Sequence, residues 1–536
     1  PSTREIARIE FQTANLDGGL YLTGEGDARQ LIRVGQDGAI YNWGLFAVDA
    51  YWQDQSTEVQ AWNVGIPETP AESWALTIEG RLLVSRRIDN MLYLVTRYAP
   101  LVDGLLPWPA TDEDVAANRA LLESTPLTDL LPDVSRDDEP PRNLVAATDC
   151  YVPNEDYEEL APVPAGGSLI TVTAIDLEAP GNMQSICLNT FASGYYASRN
   201  SLYLTAGNSS DSTYIHKISL AGGQPEYRGS GEVPGYLGTH NPSFLMSESG
   251  ADLRVVSSTW DDGFPLPVAD IEPGPEEERA AAEQEEEELD LGRHFLTILR
   301  ENRGEARLER IASLPNRERP AHIGKPGEDL YAARFLDDRA YLVTFETVDP
   351  LYVLDLASAR DPRIAGELEL PGFSTLLQPL GEELLLGIGS EVARDRPIPE
   401  GVKIALFNVG DITSPVELAS QVIGERGSHS PALQDHHALT LLESGARYRA
   451  ALPVSRYTGA PGPFGIQPEW ADDALYELEV DPIAGSLTLV GRLISEARSA
   501  DSHYPQHNLH GSRSVLHDNA VFFVQPPRVL TGNWGK

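Results

Sequence analysis

Lysine is almost missing. Lys217, Lys325, Lys403 and Lys536 are the only four in 536 residues, so arginine supplies nearly every positive charge. Positive charge is itself scarce: 40 Lys and Arg stand against 81 Asp and Glu, a formal net charge of −41. Such a surface repels nucleic-acid phosphates and anionic lipid, so no nucleic-acid partner is expected. It suits a salty medium that screens self-repulsion, as in a marine or halophilic setting, or a surface that collects cations. No run of 18 apolar residues occurs, so no membrane span is expected. The opening PSTREIARIEF is too polar for a secretory leader and reads as a mature or a trimmed start. Two cysteines, Cys150 and Cys187, are too few for a disulfide scaffold. Without a CxxC spacing they leave two readings, one bridge in an oxidising compartment or two buried thiols. Also missing are a GxSxG elbow, a Walker loop, an HExxH pair and EF-hand spacing. The acid pair in Trp260-Asp261-Asp262-Gly263 lacks further ligands and reads as a turn.

What is present is a repeat. From Tyr331, YAARFLD, RAYLVTF, PLYVLDL and RIAGELEL are four strand-like runs in about forty residues, separated by polar turns such as Asp337-Asp338. Four antiparallel strands of that length make one propeller blade. The same pattern recurs in GYYASRNSLYLTA with TYIHKISL and PEYRGSGEV, and in SFLMSESGADLRVVSST with HFLTILREN and ARLERIASL. It recurs again in TLLQPLGEELLLGIG with VKIALFNVG and PVELASQVIG, and in PALQDHHALTLLE with YRAALPVS, ALYELEV and SLTLVGRLI. LLVSRRIDNMLYLVTR, LITVTAIDL and QSICLNTF make a further repeat. GGLYLTGE, AIYNWGLFAVDA, VQAWNV and WALTIEG supply another from residues 13–80.

The ends complete the count. SRSVLHDNAVFFVQ carries only the first strands of a repeat, and REIARIEF resembles the fourth strand RIAGELEL. A strand over residues 1–11 paired with 512–531 closes the ring and removes its open edge. The expected fold is therefore all-β: residues 1–536 as one closed propeller of eight blades, with seven the alternative. Two insertions interrupt it. Residues 100–167 fall between the second and third strands of one blade and contain TDEDVAANRALLES, a helix with Thr111 as N-cap. A Cys150–Cys187 bridge would pin this excursion to the blade rim. The run at 273–292 is acidic and reads as a solvated helix or loop.

RFLDDRAYLVTFETVDPLYVLDL followed by GELELPGFSTLLQPLGEELLLGIG resembles a bacterial and archaeal family of secreted proteins with a C-terminal propeller distantly related to WD repeats. GERGSHSPALQDHHAL and YYASRNSLYLTA with YIHKI and GEVPG are similar to other segments of that family. The resemblance spans roughly residues 81–525, while residues 1–80 match poorly. It implies export, to the periplasm or the exterior, and a propeller. It implies no reaction and carries over no functional residue.

Histidine placement is the remaining signal. His216 and His294 sit on third strands and read as packed or surface strand residues. His436, His437 and His517 read as turn residues between first and second strands. His240, His322, His429, His503, His507 and His510 lie instead in the links between blades, which converge on one mouth of the central channel. Imidazole is the commonest transition-metal ligand near neutral pH, and His503, His507 and His510 are closely spaced. These six are the candidate ligands of a divalent metal, zinc or calcium, with Asp501 and Glu328 nearby; the alternative is incidental polar loop histidine. Arg86, Arg87, Arg334 and Arg513 lie on inner strands and are candidates to line the channel or to pair structurally. Two functions remain open. One is a binding or scaffolding module, expected to be a monomer, for a small-molecule or protein ligand. The other is a metal-dependent hydrolase of phosphoester or lactone type.

Overall fold

The computed structural model describes residues 3–11, 18–36, 55–106, 109–152, 168–207, 212–237, 242–259, 292–345, 349–370, 372–392, 398–462, 465–498, 505 and 508–536. The chain is all-β with one α-helix among these residues. Its strands form seven sheets, which contain seven four-stranded antiparallel meanders and a final one of three strands.

Burial explains why these runs are strands. The middle strands bury both faces, as in Met91–Tyr98 and Arg339–Phe345, where five of eight and six of seven residues are buried. The outermost strands alternate, as in Val416–Ile423, because only one face meets a neighbour. Each sheet packs face to face on the next. Ile32, Val59 and Leu76 of the first sheet meet Leu92 and Leu94 of the second. Val172 and Ile186 of the second meet Leu202 and Ile218 of the third. Further along, Ile298 meets Leu342, Val353 meets Leu385, Leu406 meets Tyr476, and Leu475 meets Phe523. At about 25 cal/mol per Å² of apolar area, these interfaces are the main source of stability.

By contact density the chain divides into two compact units. One holds Glu5–Glu232 with Glu301–Leu308; the other holds Pro1–Arg4, Val233–Arg300 and Glu309–Lys536. In the first, the outer strand Glu226–Pro234 meets Arg307 through a single parallel bridge at Ser230. Gly229 permits it: at φ +132°, an added Cβ would lie 2.0 Å from the Ala306 carbonyl oxygen.

Several features differ from the sequence reading. The second strand of the first sheet is Gln30–Gln36, which pairs with both Leu20–Thr23 and Ser56–Asn63. The run AIYNWGLFAVDA lies outside the described residues. Residues 3–11 form no strand, so the closing strand expected over 1–11 is not found there; Phe11 packs edge-on against Trp62 and beneath Arg33. The last sheet takes its third strand from Arg528–Asn533, folded back through a Pro526-Pro527 turn, where the sequence reading had only the first strands of a repeat.

Between Tyr98 and Leu169, which pair with each other, the chain makes a long excursion. Its helix, Asp112–Ser124, begins with a reciprocal capping box. Thr111 Oγ1 accepts the Asp114 N–H at 3.2 Å, and Asp114 Oδ2 accepts the Thr111 N–H at 3.0 Å. No residue of the helix is buried, so capping and an acidic first turn hold it rather than packing. The excursion also extends two sheets. Asp133–Arg136 pairs with Leu76–Ile78 at the outer edge of the first, and Cys150–Tyr151 pairs with Cys187–Leu188 at the outer edge of the second. A Cys150–Cys187 disulfide fixes the latter, with Cα atoms 4.4 Å apart. The acidic run at 273–292 lies outside the described residues except for Gly292.

Candidate functional site

Four stretches of the second compact unit supply one cluster. The single-turn helix Pro431–Leu433 is capped by Ser430, which accepts the Ala432 N–H, and carries proline at its start. A second turn, His436–Ala438, is capped by Asp435, whose side chain accepts the His437 N–H at 3.0 Å. Only then does the first strand of this sheet begin, at Thr440–Ser444. His436 and His437 therefore precede the first strand and belong to the link between blades, not to the hairpin turn after it. His517 does end the strand Arg513–His517, at its hairpin turn.

Within the cluster, Asp435 Oδ1 lies 3.1 Å from His437 Nδ1, and Asp435 Oδ2 accepts from Arg513 Nη2 at 2.7 Å. The two imidazole rings are 3.9 Å apart. His436 meets Phe244 edge-on at 5.1 Å, and the Arg334 guanidinium lies 5.1 Å over the other part of that contact, the Phe244 ring. Arg513 is placed by its strand, which is joined to Thr440 where the Ser514 carbonyl accepts the Thr440 hydroxyl at 2.9 Å. One ligand atom from each of Asp435, His436 and His437 lies within 4.8 Å of the others.

The electrostatics set the charge states. Burial, then His437, Arg334 and Arg513, push the His436 imidazole below its ordinary value. Burial works against the Asp435 carboxylate, but the His437 N–H, Arg513 and the His437 ring outweigh it and hold its pKa low. Near neutral pH the pair is thus an ionised carboxylate and a neutral imidazole, the forms that bind metal. Burial alone lowers the Arg334 pKa, and among the described residues Arg334 has no carboxylate partner; its Nε is buried without an acceptor.

The other candidates fall as follows. His240, His503 and His507 lie outside the described residues. His429 is exposed, donates from Nδ1 to the Gly427 carbonyl at 3.2 Å and pairs through its backbone with Ser455. His322 is half-buried against Gly292, and His510 is exposed. None of these three belongs to a group of three close ligating side chains among the described residues. Arg334 and Arg513 join the cluster. Arg87 instead donates to the carbonyls of Asp89 and Leu22, at 2.8 and 2.6 Å, and ties its own hairpin to the first sheet. Arg86 beside it is exposed. His216 and His294 are packed strand residues. His216 bonds Tyr227 at 3.1 Å, and His294 lies between Ser258 Oγ at 2.8 Å and the Glu328 carbonyl at 2.9 Å. No helix among the described residues is long and apolar enough to cross a membrane.

Four-stranded meanders stacked face to face, with polar groups gathered at the links between them, define a propeller-type all-β protein. A family model described as the beta propeller domain matches residues 2–534, and the chain belongs to that family. It is similar to an uncharacterized protein of Methanocaldococcus jannaschii, with 42% identity over 113 residues, which are 21% of this chain and 17% of that protein. An uncharacterized protein of Archaeoglobus fulgidus is 40% identical over 114 residues, again 21% and 17%. The match thus spans 17% of the length of these curated relatives. Among solved structures, Sqt1 of Saccharomyces cerevisiae is 10% identical, with 69% of this chain and 80% of that chain covered and a TM-score of 0.35. An uncharacterized protein of Listeria monocytogenes is 10% identical, with 68% and 87% covered and a TM-score of 0.30. Likenesses at this level carry no argument about activity.

Proposed function

We propose that the protein is an extracytoplasmic binding module, one ring of eight blades, that holds a divalent metal at Asp435, His436 and His437. The approach of these three ligating atoms to within 4.8 Å carries the reading. Two imidazoles and one carboxylate favour zinc over calcium, which prefers six to eight oxygens. Asp435 already balances Arg513. A bound dication beside the unpaired Arg334 leaves the site strongly positive, so the open coordination position suits an anionic ligand. That polarity stands out on a chain with a net charge of −41.

Zinc titration of metal-free protein by calorimetry tests the reading. One zinc per chain is expected, with binding lost in His436→Ala and His437→Ala while the far-UV spectrum is unchanged. Zinc binding that both variants retain would exclude the site. Turnover of a chromogenic phosphoester or lactone by the zinc-loaded protein, absent in the variants, would make it the hydrolase rather than the binding module.

A further inference from the structure

A second recess lies wholly within the first compact unit and owes nothing to the histidine cluster. It is a cleft of about 580 Å³ beside Gly80, where the strand Ala71–Glu79 passes into Arg81–Ile88. That volume falls in the range of roughly 300–1,000 Å³ typical of small-molecule sites. One wall is the ends of blade strands, with Gln55, Glu79 and Arg97. The other is the excursion between Tyr98 and Leu169, with Asp129, Arg142 and Asn143.

The excursion is held rigidly where it meets the cleft. Asp133–Arg136 is hydrogen-bonded into the first sheet, and the Asp133 N–H donates to Glu79 Oε2 at 2.9 Å. Asn143 Nδ2 donates to the Thr128 carbonyl at 3.0 Å and to Asp133 Oδ1 at 2.8 Å. Thr128 Oγ1 donates to Asp129 Oδ1 at 3.1 Å. The disulfide anchors the same excursion further along. A long insertion tied to the sheets at two places and braced by its own internal hydrogen bonds builds a wall whose polar groups are preorganised.

The chemistry of the lining selects a ligand. A simple anion would need donors alone, and a cation acceptors alone. Here carboxylates and guanidinium groups face one cleft; the Gln55 amide can donate or accept, and Asn143, whose two amide hydrogens are engaged, can accept. Hydroxyl groups donate and accept at once, so vicinal hydroxyls match such a mixed wall. Arg142 adds one further element. It is exposed and makes no ion pair among the described residues, so its planar fork is available to a carboxylate. We infer that this cleft binds an acidic sugar, a mono- or disaccharide with one carboxylate, its hydroxyls on the mixed wall and its carboxylate on Arg142.

Calorimetry of the full chain with galacturonate, digalacturonate and galactose tests this. A uronate is expected to bind at least about tenfold tighter than galactose, a difference that Arg142→Ala abolishes and Arg142→Lys restores only in part. Arg142 is exposed, so its variants fold. His437→Ala, at the proposed zinc site, should leave uronate binding unchanged, which separates the two sites. No uronate binding up to about 10 mM, equal binding of galactose, or full affinity in Arg142→Ala would each overturn the assignment.

Discussion

Arg513 Nη2 donates to Asp435 Oδ2 at 2.7 Å, and so joins the inner strand of the last sheet to the turn that opens the sheet before it. The pair is half-exposed, with side chains 40% and 33% accessible, so its own contribution to stability is small. Its larger effect is on the carboxylate, which it keeps ionised and occupies on one oxygen.

Two substitutions at this pair should act in opposite directions. Asp435→Asn removes a charged ligand and should weaken zinc binding about 10–100-fold. Arg513→Gln removes a competing cation, while the His437 N–H still positions the carboxylate, and should tighten binding about fivefold. Parallel calorimetric titrations check both signs.

The disulfide should be complete and worth keeping. Thiol counting in denaturant without reductant should find no free thiol. Replacing both Cys150 and Cys187 with serine should cost about 2–4 kcal/mol, read as a lower urea midpoint.

Acid should weaken the fold through His216. Burial pushes its pKa down to about 4 from 6.5, so the unfolded chain takes a proton that the native state refuses. Stability from this residue is full above pH 6.5 and falls as pH drops towards 4, by ~3 kcal/mol in total. His294, lowered chiefly by burial, acts in the same direction. Burial raises Asp473 and Glu477, which oppose the trend: they favour the fold at low pH and lose that contribution as pH rises. Melting temperatures from pH 4 to 7.5 should therefore fall less steeply towards acid in His216→Gln than in the parent.

Glu301 is a largely buried charge of the first compact unit. Only 9% of its side chain is accessible, and it bonds Lys217 at 3.1 Å and Arg228 at 2.7 Å. Burial raises its pKa, but Arg228 and Lys217 outweigh that and hold it low. Glu301→Gln removes the buried carboxylate that Lys217 and Arg228 share and should cost about 3 kcal/mol in denaturant melts. Glu226→Gln, which removes the exposed partner of Arg228, should cost no more than about 1 kcal/mol.

The blades were legible because a strand buried on both faces must be an apolar run. RAYLVTF and LITVTAID show this directly. In the first sheet the strand QLIRVGQ went unread because it carries three polar residues and a glycine among only three apolar ones. DVSR and the pair Cys150–Tyr151 are too short to show any period, so their addition to two sheets left no trace in the sequence. The histidine pair was misplaced for a different reason. PALQDHHALTLLE was read as one strand with its turn, whereas Ser430-Pro431 and Asp435 are capping signals for two helical turns. Reading those caps would have moved His436 and His437 into the link. The approach of Phe244 to His436 spans nearly two hundred residues and that of Arg334 to Phe244 about ninety, which no local pattern encodes.

The two strands that the excursion lends to neighbouring blades also decide where another chain can attach. An unpaired outer strand is a template for pairing with a foreign strand. In the first two sheets that position is already filled by the protein's own Asp133–Arg136 and Cys150–Tyr151, and the outer strand Glu226–Pro234 is bridged to Arg307. Among the described residues, the outer strands that end their sheets uncovered are Arg363–Leu370, Val416–Ile423, Ser486–Ala497 and Arg528–Asn533. A partner that recognises this protein by strand addition has those four rims to choose from, all in the second compact unit.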